Sequence, residues 1–502
     1  MFAQFSIGFQ MLADFGVLFM IFAGVCIGIL FGASPGLTTS MGMAFMLPLT
    51  YIMEPTQAIA MLIGLYIGGT SGGLITAILL GIPGTPASIS TTFDGYPMAK
   101  NGEPGKALGY GLVASFFGGM VSLLALFCLA PALSKVALKF GPADYFAVSL
   151  FSLALIAGLA GKSLVRGLIG GILGVMLATV GTAPLDMTTR YTMGIHEFDA
   201  GFQLLCVLVG VYAVTELLRY AENSCNAPQD LSYNGAAIRG MGVKLSDFKG
   251  QAVNMVRSTI LGTCIGILPG IGAGTSNILA YSAAKNASKY PEKFGSGIKD
   301  GIIASETANN AVTGGALIPL LTLGIPGDAG TAILLAALTL HGIAPGPLVF
   351  QKNGDQIYMI FAALIVANLF MLLVEYLGMK MFIKMVRIPK NYLLTVILLL
   401  CVIGAYGQNN RIFDVYSVLM FGVLGFVFYK MSLPLTPMIM GFILGPIVET
   451  NLLRGLQFSD GSFLAFFKRP IAAVFLIMTA CYVMYEIKNR VGRGRKEKMT
   501  DG

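Results

Sequence analysis

Long apolar stretches alternate with short polar joints along the whole chain, and four of the stretches are interrupted by Pro-Gly. Runs near the spanning length of about 17–25 residues lie close to 12–31, 56–80, 107–131, 143–160, 164–182, 202–218, 258–283, 302–323, 357–379, 392–406, 412–429, 435–448 and 470–487. They predict an all-α, polytopic integral membrane protein of about 11–13 helices, some of them broken or re-entrant. Lipid penalises unpaired backbone groups, so a Pro-Gly break is expected only where it faces protein or a polar cavity.

The interruptions repeat. Gly28 to Leu37 returns as Gly262 to Ile271, an offset of 262 − 28 = 234. Thr70 to Ile75 with Gly81-Ile82-Pro83-Gly84 returns as Thr313 to Ile318 with Gly324-Ile325-Pro326-Gly327, an offset of 313 − 70 = 243. Lys100-Asn101-Gly102-Glu103 is echoed by Lys352-Asn353-Gly354-Asp355, and Lys135/Lys139 by Lys380/Lys384. Two structural repeats are therefore expected. The domain plan is residues 1–220 as a first transmembrane repeat, 221–251 as a polar cytoplasmic linker, 252–487 as a second repeat, and 488–502 as a basic cytoplasmic tail.

Inverted repeats bring half-helix ends to one central site, and inversion is the expected relation, although the paired basic loops favour a parallel one. Residues 258–283, flanked by Arg257 and by Lys285, Lys289 and Lys293, read either as a re-entrant loop broken at Pro269-Gly270 or as a kinked span.

The composition narrows the class. The chain is 56% hydrophobic and 11% charged, whereas about a quarter of a soluble protein's residues are charged. Its net charge of +8 gathers at span ends, as the positive-inside rule requires, and is no nucleic-acid footprint. Lys488, Arg490, Arg493, Arg495, Lys496 and Lys498 place the C-terminus in the cytoplasm. The first cation is Lys100, so the N-terminus is expected outside, and the basic n-region of a secretory leader is missing. Seven scattered Cys read as core residues rather than as disulfides or a zinc site.

Small residues every fourth position, Gly24, Gly28, Gly32, Gly36 and then Ser258, Gly262, Gly266, Gly270, Gly274, predict a face for close helix packing. Beyond each break a new helix presents free N–H groups and a positive dipole end, a setting for a carboxylate without a buried Lys or Arg. The substrate-binding candidates are Gly36, Thr38, Thr39, Ser71, Gly84, Thr85, Gly270, Gly272, Gly274, Thr275, Ser276, Asn277 and Gly327. Glu306, Asn309 and Asn310 join them, because a carboxylate and carboxamides inside a spanning run are costly unless functional or paired. Asp328 joins them too, with helix capping as its competing role. Compensation is expected from co-bound Na⁺ or H⁺, with a Na⁺ site near Pro35, Pro83, Pro269 or Pro326; no cofactor or catalytic residue is expected.

Three motifs mislead. Gly32-Ala33-Ser34-Pro35-Gly36 fits G-x-S-x-G but lacks the strand and the His partner of a nucleophile elbow. Gly161-Lys162-Ser163 ends like a P-loop without its first glycine. Thr179-Val180-Gly181-Thr182 departs from a potassium filter. His196 and His341, the only histidines, lack metal-ligand spacing.

Several stretches together carry a family resemblance: Gly32 to Gly36, Leu47-Pro48-Leu49, Gly81 to Gly84, Asp94 to Ala99, Gly266 to Ala273, Glu306 to Ala311 and Leu323 to Gly327. Over nearly its full length the chain resembles the large permease subunit of the tripartite tricarboxylate transporters, the TctA family. The resemblance implies cation-driven uptake of a di- or tricarboxylate such as citrate across a bacterial inner membrane. It also implies two partners, a small TctB-like membrane subunit and a periplasmic TctC-like solute-binding protein. Ser305 and Ser34 depart from the Pro and Leu common in the family, so the resemblance points to a carboxylate class rather than to citrate itself. The alternatives are a gradient-independent channel and a membrane-embedded enzyme or assembly subunit.

Overall fold

A computed structural model describes residues 2–159, 163–223, 242–385 and 390–500. Gly161 and Lys162 of the P-loop look-alike, and Arg239 with most of the expected linker, lie outside them.

The chain opens with α1 (Phe2–Leu12), α2 (Phe15–Ala33), α3 (Thr39–Thr50), α4 (Pro55–Leu80), α5 (Thr91–Lys100) and α6 (Pro104–Ala137). A 3₁₀ turn, Pro86–Ser88, stands between α4 and α5. Next come α7 (Pro142–Leu159), α8 (Leu164–Ala178) and α9 (Leu204–Val209). The strands Gly181–Thr182 and Thr189–Arg190 pair antiparallel between α8 and α9. A π-helical turn, Gly210–Val214, carries α9 on into α10 (Thr215–Asn223). The second set of broken helices is α11 (Ala252–Ile267), α12 (Gly272–Ala287), α13 (Lys299–Leu323) and α14 (Ala329–Leu340). It is followed by α15 (Val349–Lys352), α16 (Gly354–Met385), α17 (Lys390–Asn409), α18 (Ile412–Lys430), α19 (Leu435–Gln457) and α20 (Pro470–Thr500).

Among the described residues, eight helices are long and apolar enough to cross a bilayer, and five shorter apolar helices accompany them. The protein is thus a polytopic all-α membrane protein. The apolar run 258–283 is cut into α11 and α12, which pack on each other and on α13. α13 carries Glu306, Asn309 and Asn310 at burials of 0–1% exposure, so protein rather than lipid surrounds its polar middle.

Two glycines end the long helices. Gly81 and Gly324 close α4 and α13 in the left-handed conformation, φ +67° and +73°, a cap that L side chains resist. Pro83 and Pro326 follow two residues on and forbid the helix from resuming. The glycine ridges are used as their spacing predicts. Gly24, Gly28 and Gly32 of α2 lie against the carbonyls of Met61, Leu65 and Gly69 of α4, and Gly262 and Gly266 of α11 against those of Ala308 and Val312 of α13.

The chain forms two compact units, and each draws on both halves of the sequence. One comprises Met1–Lys135 with Tyr212–Arg411, the other Val136–Val211 with Ile412–Gly502. Within the second, α19 packs on α7 and α8, and α20 on α7. Asp144, 1% exposed, holds it at one point: its Oδ2 accepts from Arg469 Nε and the Gly141 N–H at 2.9 Å each, and its Oδ1 from the Ala472 N–H at 3.1 Å. Arg190 makes a two-pronged pair with Glu449 in the same unit. Both sets of broken helices lie in the first unit.

Candidate functional site

Each break is followed by a helix start, and the four starts differ in what satisfies them. At α3, Thr38 Oγ1 accepts the Met41 N–H at 3.1 Å. At α14, Asp328 Oδ1 accepts the N–H and the hydroxyl of Thr331, both at 2.8 Å. Its Oδ2 accepts the Tyr66 hydroxyl, also at 2.8 Å. In the turn Pro86–Ser88, Ser88 Oγ accepts the Thr85 N–H at 3.4 Å. At α12 the cap position is Ile271, which has no acceptor to offer. Of the three α-helices that begin directly after a break, α3, α12 and α14, α12 is the one whose first-turn N–H groups no cap side chain answers.

α12 begins against the other copy's break. Gly274 sits beside the Pro86 carbonyl, and Asn277 Oδ1 accepts the Ser90 N–H at 2.7 Å. Unpartnered buried hydroxyls gather on the segments meeting there, those of Thr76, Thr85, Ser90 and Ser305. Gly84 lies beside Thr76, and Gly73 beside Thr85. The Asn277 carboxamide also donates to the Ser305 carbonyl at 3.3 Å and to Thr91 Oγ1 at 3.4 Å.

Thr91 leads on to Glu306. The Glu306 carboxyl is fully buried; Oε1 accepts the Thr91 hydroxyl, and Oε2 accepts Ser115 Oγ at 3.1 Å and Asn309 Nδ2 at 3.4 Å. All three donors are neutral. The same Asn309 nitrogen donates to the Thr70 carbonyl at 3.1 Å, joining α13 to α4.

The sequence candidates thus fall into groups. Gly84, Thr85, Gly272, Gly274, Thr275, Ser276 and Asn277 lie on the segments that meet at the α12 start, and Asn277 leads through Thr91 to Glu306 and then to Asn309. Gly36, Thr38 and Thr39 flank α3, which packs on α14 beside Gly327 and Asp328. Gly270 N–H donates to the Gly327 carbonyl at 2.7 Å, so the two breaks of the second copy touch directly. Several candidate side chains already have partners: Thr275 with the Ile271 carbonyl at 3.4 Å, Ser276 with that of Ala308 at 3.3 Å, and Ser71 with Glu375 at 3.1 Å. Asn310 Nδ2 bonds the Glu306 carbonyl of its own helix at 3.2 Å, while its Oδ1 is buried and unpartnered. The misleading Ser34 hydroxyl donates to the Leu30 carbonyl at 2.8 Å and closes the end of α2.

A family model described as "Tripartite tricarboxylate transporter TctA family" matches residues 18–440. The chain belongs to the TctA family. It is 36% identical over 483 residues, 96% of this chain and 95% of the relative, to an uncharacterized 52.8 kDa protein in the TAR-I ttuC′ 3′ region of Agrobacterium vitis. It is 37% identical over 215 residues to an uncharacterized protein in the TAR-II ttuC′ 3′ region of the same organism, 43% of this chain and 89% of that one. As a TctA protein it is a membrane component of tricarboxylate transport, in a family whose transporters are tripartite.

The TctA match spans every residue of the cluster, including partners that no periodicity announces. Thr91, Ser115, Tyr66 and Glu375 reach their partners from 215, 191, 262 and 304 positions away. Asp94, within the stretch Asp94 to Ala99 that carries the family resemblance, is 0% exposed and serves as a clamp. Its Oδ1 accepts the N–H groups of Gly295, Gly297 and Ile298 at 2.8, 2.9 and 3.0 Å. Its Oδ2 accepts the Tyr281 hydroxyl at 2.9 Å. One side chain of α5 thereby orders the joint between α12 and α13.

Proposed function

We propose that this chain is the large permease subunit of a binding-protein-dependent secondary transporter, importing a di- or tricarboxylate by cation symport and alternating access. The observation that carries the reading is the α12 start: unanswered N–H groups, a positive dipole end and unpartnered hydroxyls converge beside the break after Pro83-Gly84. Such a site takes a carboxylate without a buried cation. Glu306 is linked to Asn277 of α12 through Thr91; its charge would repel a bound carboxylate, and a co-entering Na⁺ or proton offsets that repulsion.

The two copies meet reciprocally. α12 of the second packs on the turn Pro86–Ser88 of the first, and α3 of the first packs on α14 of the second. Gly84 abuts the Gly32 carbonyl as Gly327 abuts that of Gly266. Reciprocity of this kind supports a duplicated unit with a pseudo-two-fold relation, and our reading places its axis in the membrane plane, which makes the repeats inverted. The mobile part is the repeat-derived core. The membrane is the bacterial inner membrane, the C-terminus is cytoplasmic, and the partners are a TctB-like subunit and a TctC-like binding protein.

The test is uptake of labelled citrate and smaller dicarboxylates into vesicles holding this chain and both partners. Accumulation should require the binding protein and collapse without a Na⁺ or proton gradient. Downhill flux indifferent to any gradient would make the protein a channel instead.

A further inference from the structure

Glu375 is a buried acid on the apolar helix α16, three residues before the end of its spanning stretch Gly354–Gly378. It lies in the part of α16 long and apolar enough to span the bilayer and is 0% exposed. Its Oε2 accepts one hydrogen bond, from Ser71 Oγ on α4 at 3.1 Å, and its Oε1 is buried with no partner. An ionised carboxylate needs several donors or a cation to survive outside water, and one hydroxyl is far short of that. A protonated carboxyl is satisfied by much less: one hydrogen bond with Ser71, and an unpaired carbonyl oxygen that carries no net charge.

The surroundings sharpen the contrast. α1, α2, α4 and α15 pack on α16, and α6 reaches it where Gly119 meets Asn368 and Phe127 meets Phe361. α1 has no titratable side chain; α2 contributes Cys26 and α4 contributes Tyr66, both neutral at pH 7. The cations of these elements, Lys106 and Lys135 of α6 and Lys352 of α15, stand at helix ends. On α16 itself the other described titratable groups are Tyr376 beside it and, about five turns away, Asp355 and Tyr358. Lys244, an exposed cation, lines a pocket with Leu372, Leu373 and Tyr376 of α16, and Glu306 of α13 is tied back through Asn309 to Thr70, the residue before Ser71. Two buried acids are thus fastened to adjacent residues of α4 by neutral groups alone, and two negative charges held there together are unfavourable.

We propose that Glu375, with Ser71, is a proton-binding site: it holds a proton at neutral pH and keeps the Glu306–Glu375 pair from carrying two negative charges. Binding converts the carboxylate and H⁺ to the carboxyl, and release regenerates both. That this proton drives uptake rests on the transport function proposed above; the site itself does not.

Infrared spectroscopy of the purified full chain reads the site without any substrate. At pH 7 the wild type should show a protonated-carboxyl C=O band that is missing from Glu375→Gln. Superimposable spectra overturn the proposal, as does an ionised Glu375 at pH 7 with or without sodium. Should Glu375→Gln not fold, Ser71→Ala should keep the band but move it to higher frequency through loss of the hydrogen bond; an unmoved band overturns the proposal as well. In vesicles, an imposed inward proton gradient should drive citrate accumulation by the wild type, and Glu375→Gln should lose that response. Failure of wild-type citrate uptake with the infrared band intact counts against the transport reading alone.

Discussion

Asn277 of α12 accepts the backbone N–H of Ser90 at 2.7 Å, across 187 positions of sequence. The bond fastens the half-helix after one Pro-Gly break to the segment after another, and the carboxamide's donors go to Thr91 and Ser305.

Asn277→Ala should therefore cost stability. It strands the buried Ser90 N–H, a loss of about 1–3 kcal/mol, and its thermal midpoint in detergent should fall well below that of the wild type. An unchanged midpoint would free Asn277 for direct contact with substrate.

Asn310→Ala should behave in the opposite way. Its nitrogen bonds only its own helix and its oxygen is unpartnered, so folding loses little. Uptake should be abolished while insertion and thermal midpoint stay near wild type; full activity removes this residue from the site.

Asp94→Ala should loosen one joint. Three N–H groups and the Tyr281 hydroxyl lose their acceptor, and hydrogen bonds to charged groups are worth roughly 1.5–3 kcal/mol each without adding fully. Amide exchange at Gly295, Gly297 and Ile298 should accelerate strongly. Exchange at wild-type rates would mean that another contact orders the segment.

Gly84→Ala and Gly327→Ala should fail alike. A methyl at either position overlaps a backbone carbonyl, of Gly32 or of Gly266, and overpacking of this kind costs about 1–3 kcal/mol or more when the obstacle cannot swing away. Gly354→Ala is the control, because no atom lies within 4 Å of its added carbon. Monodispersity on size exclusion should separate the pair from the control.

The breaks were readable because backbone chemistry is local: Gly-Ile-Pro-Gly ends a helix wherever it occurs, and its recurrence 243 positions later aligned Gly81 with Gly324. That alignment also sets Thr85 opposite Asp328, both at the helix start after a break. The polar stretch from Ser305 to Asn310 was readable because polarity is conspicuous in an apolar run. What completes the cluster was not. Thr91 and Ser115 are ordinary hydroxyls, Glu375 stands far along a long apolar helix from its other acid, Asp355, and their partners are set by helix packing rather than by spacing. The expectation that every new helix start offers free N–H groups held where Ile271 occupies the cap position. Thr38 and Asp328 fill the same place at α3 and α14 with their own oxygens.

The strap from Gly270 to Gly327 is main chain to main chain, so it does not depend on any of the polar side chains around it. It ties the hairpin of α11 and α12 to the elbow between α13 and α14, and under the transport function proposed above the two would move as one body. The hydroxyls and carboxamides proposed to meet the carboxylate could then change one letter at a time without unhitching that joint.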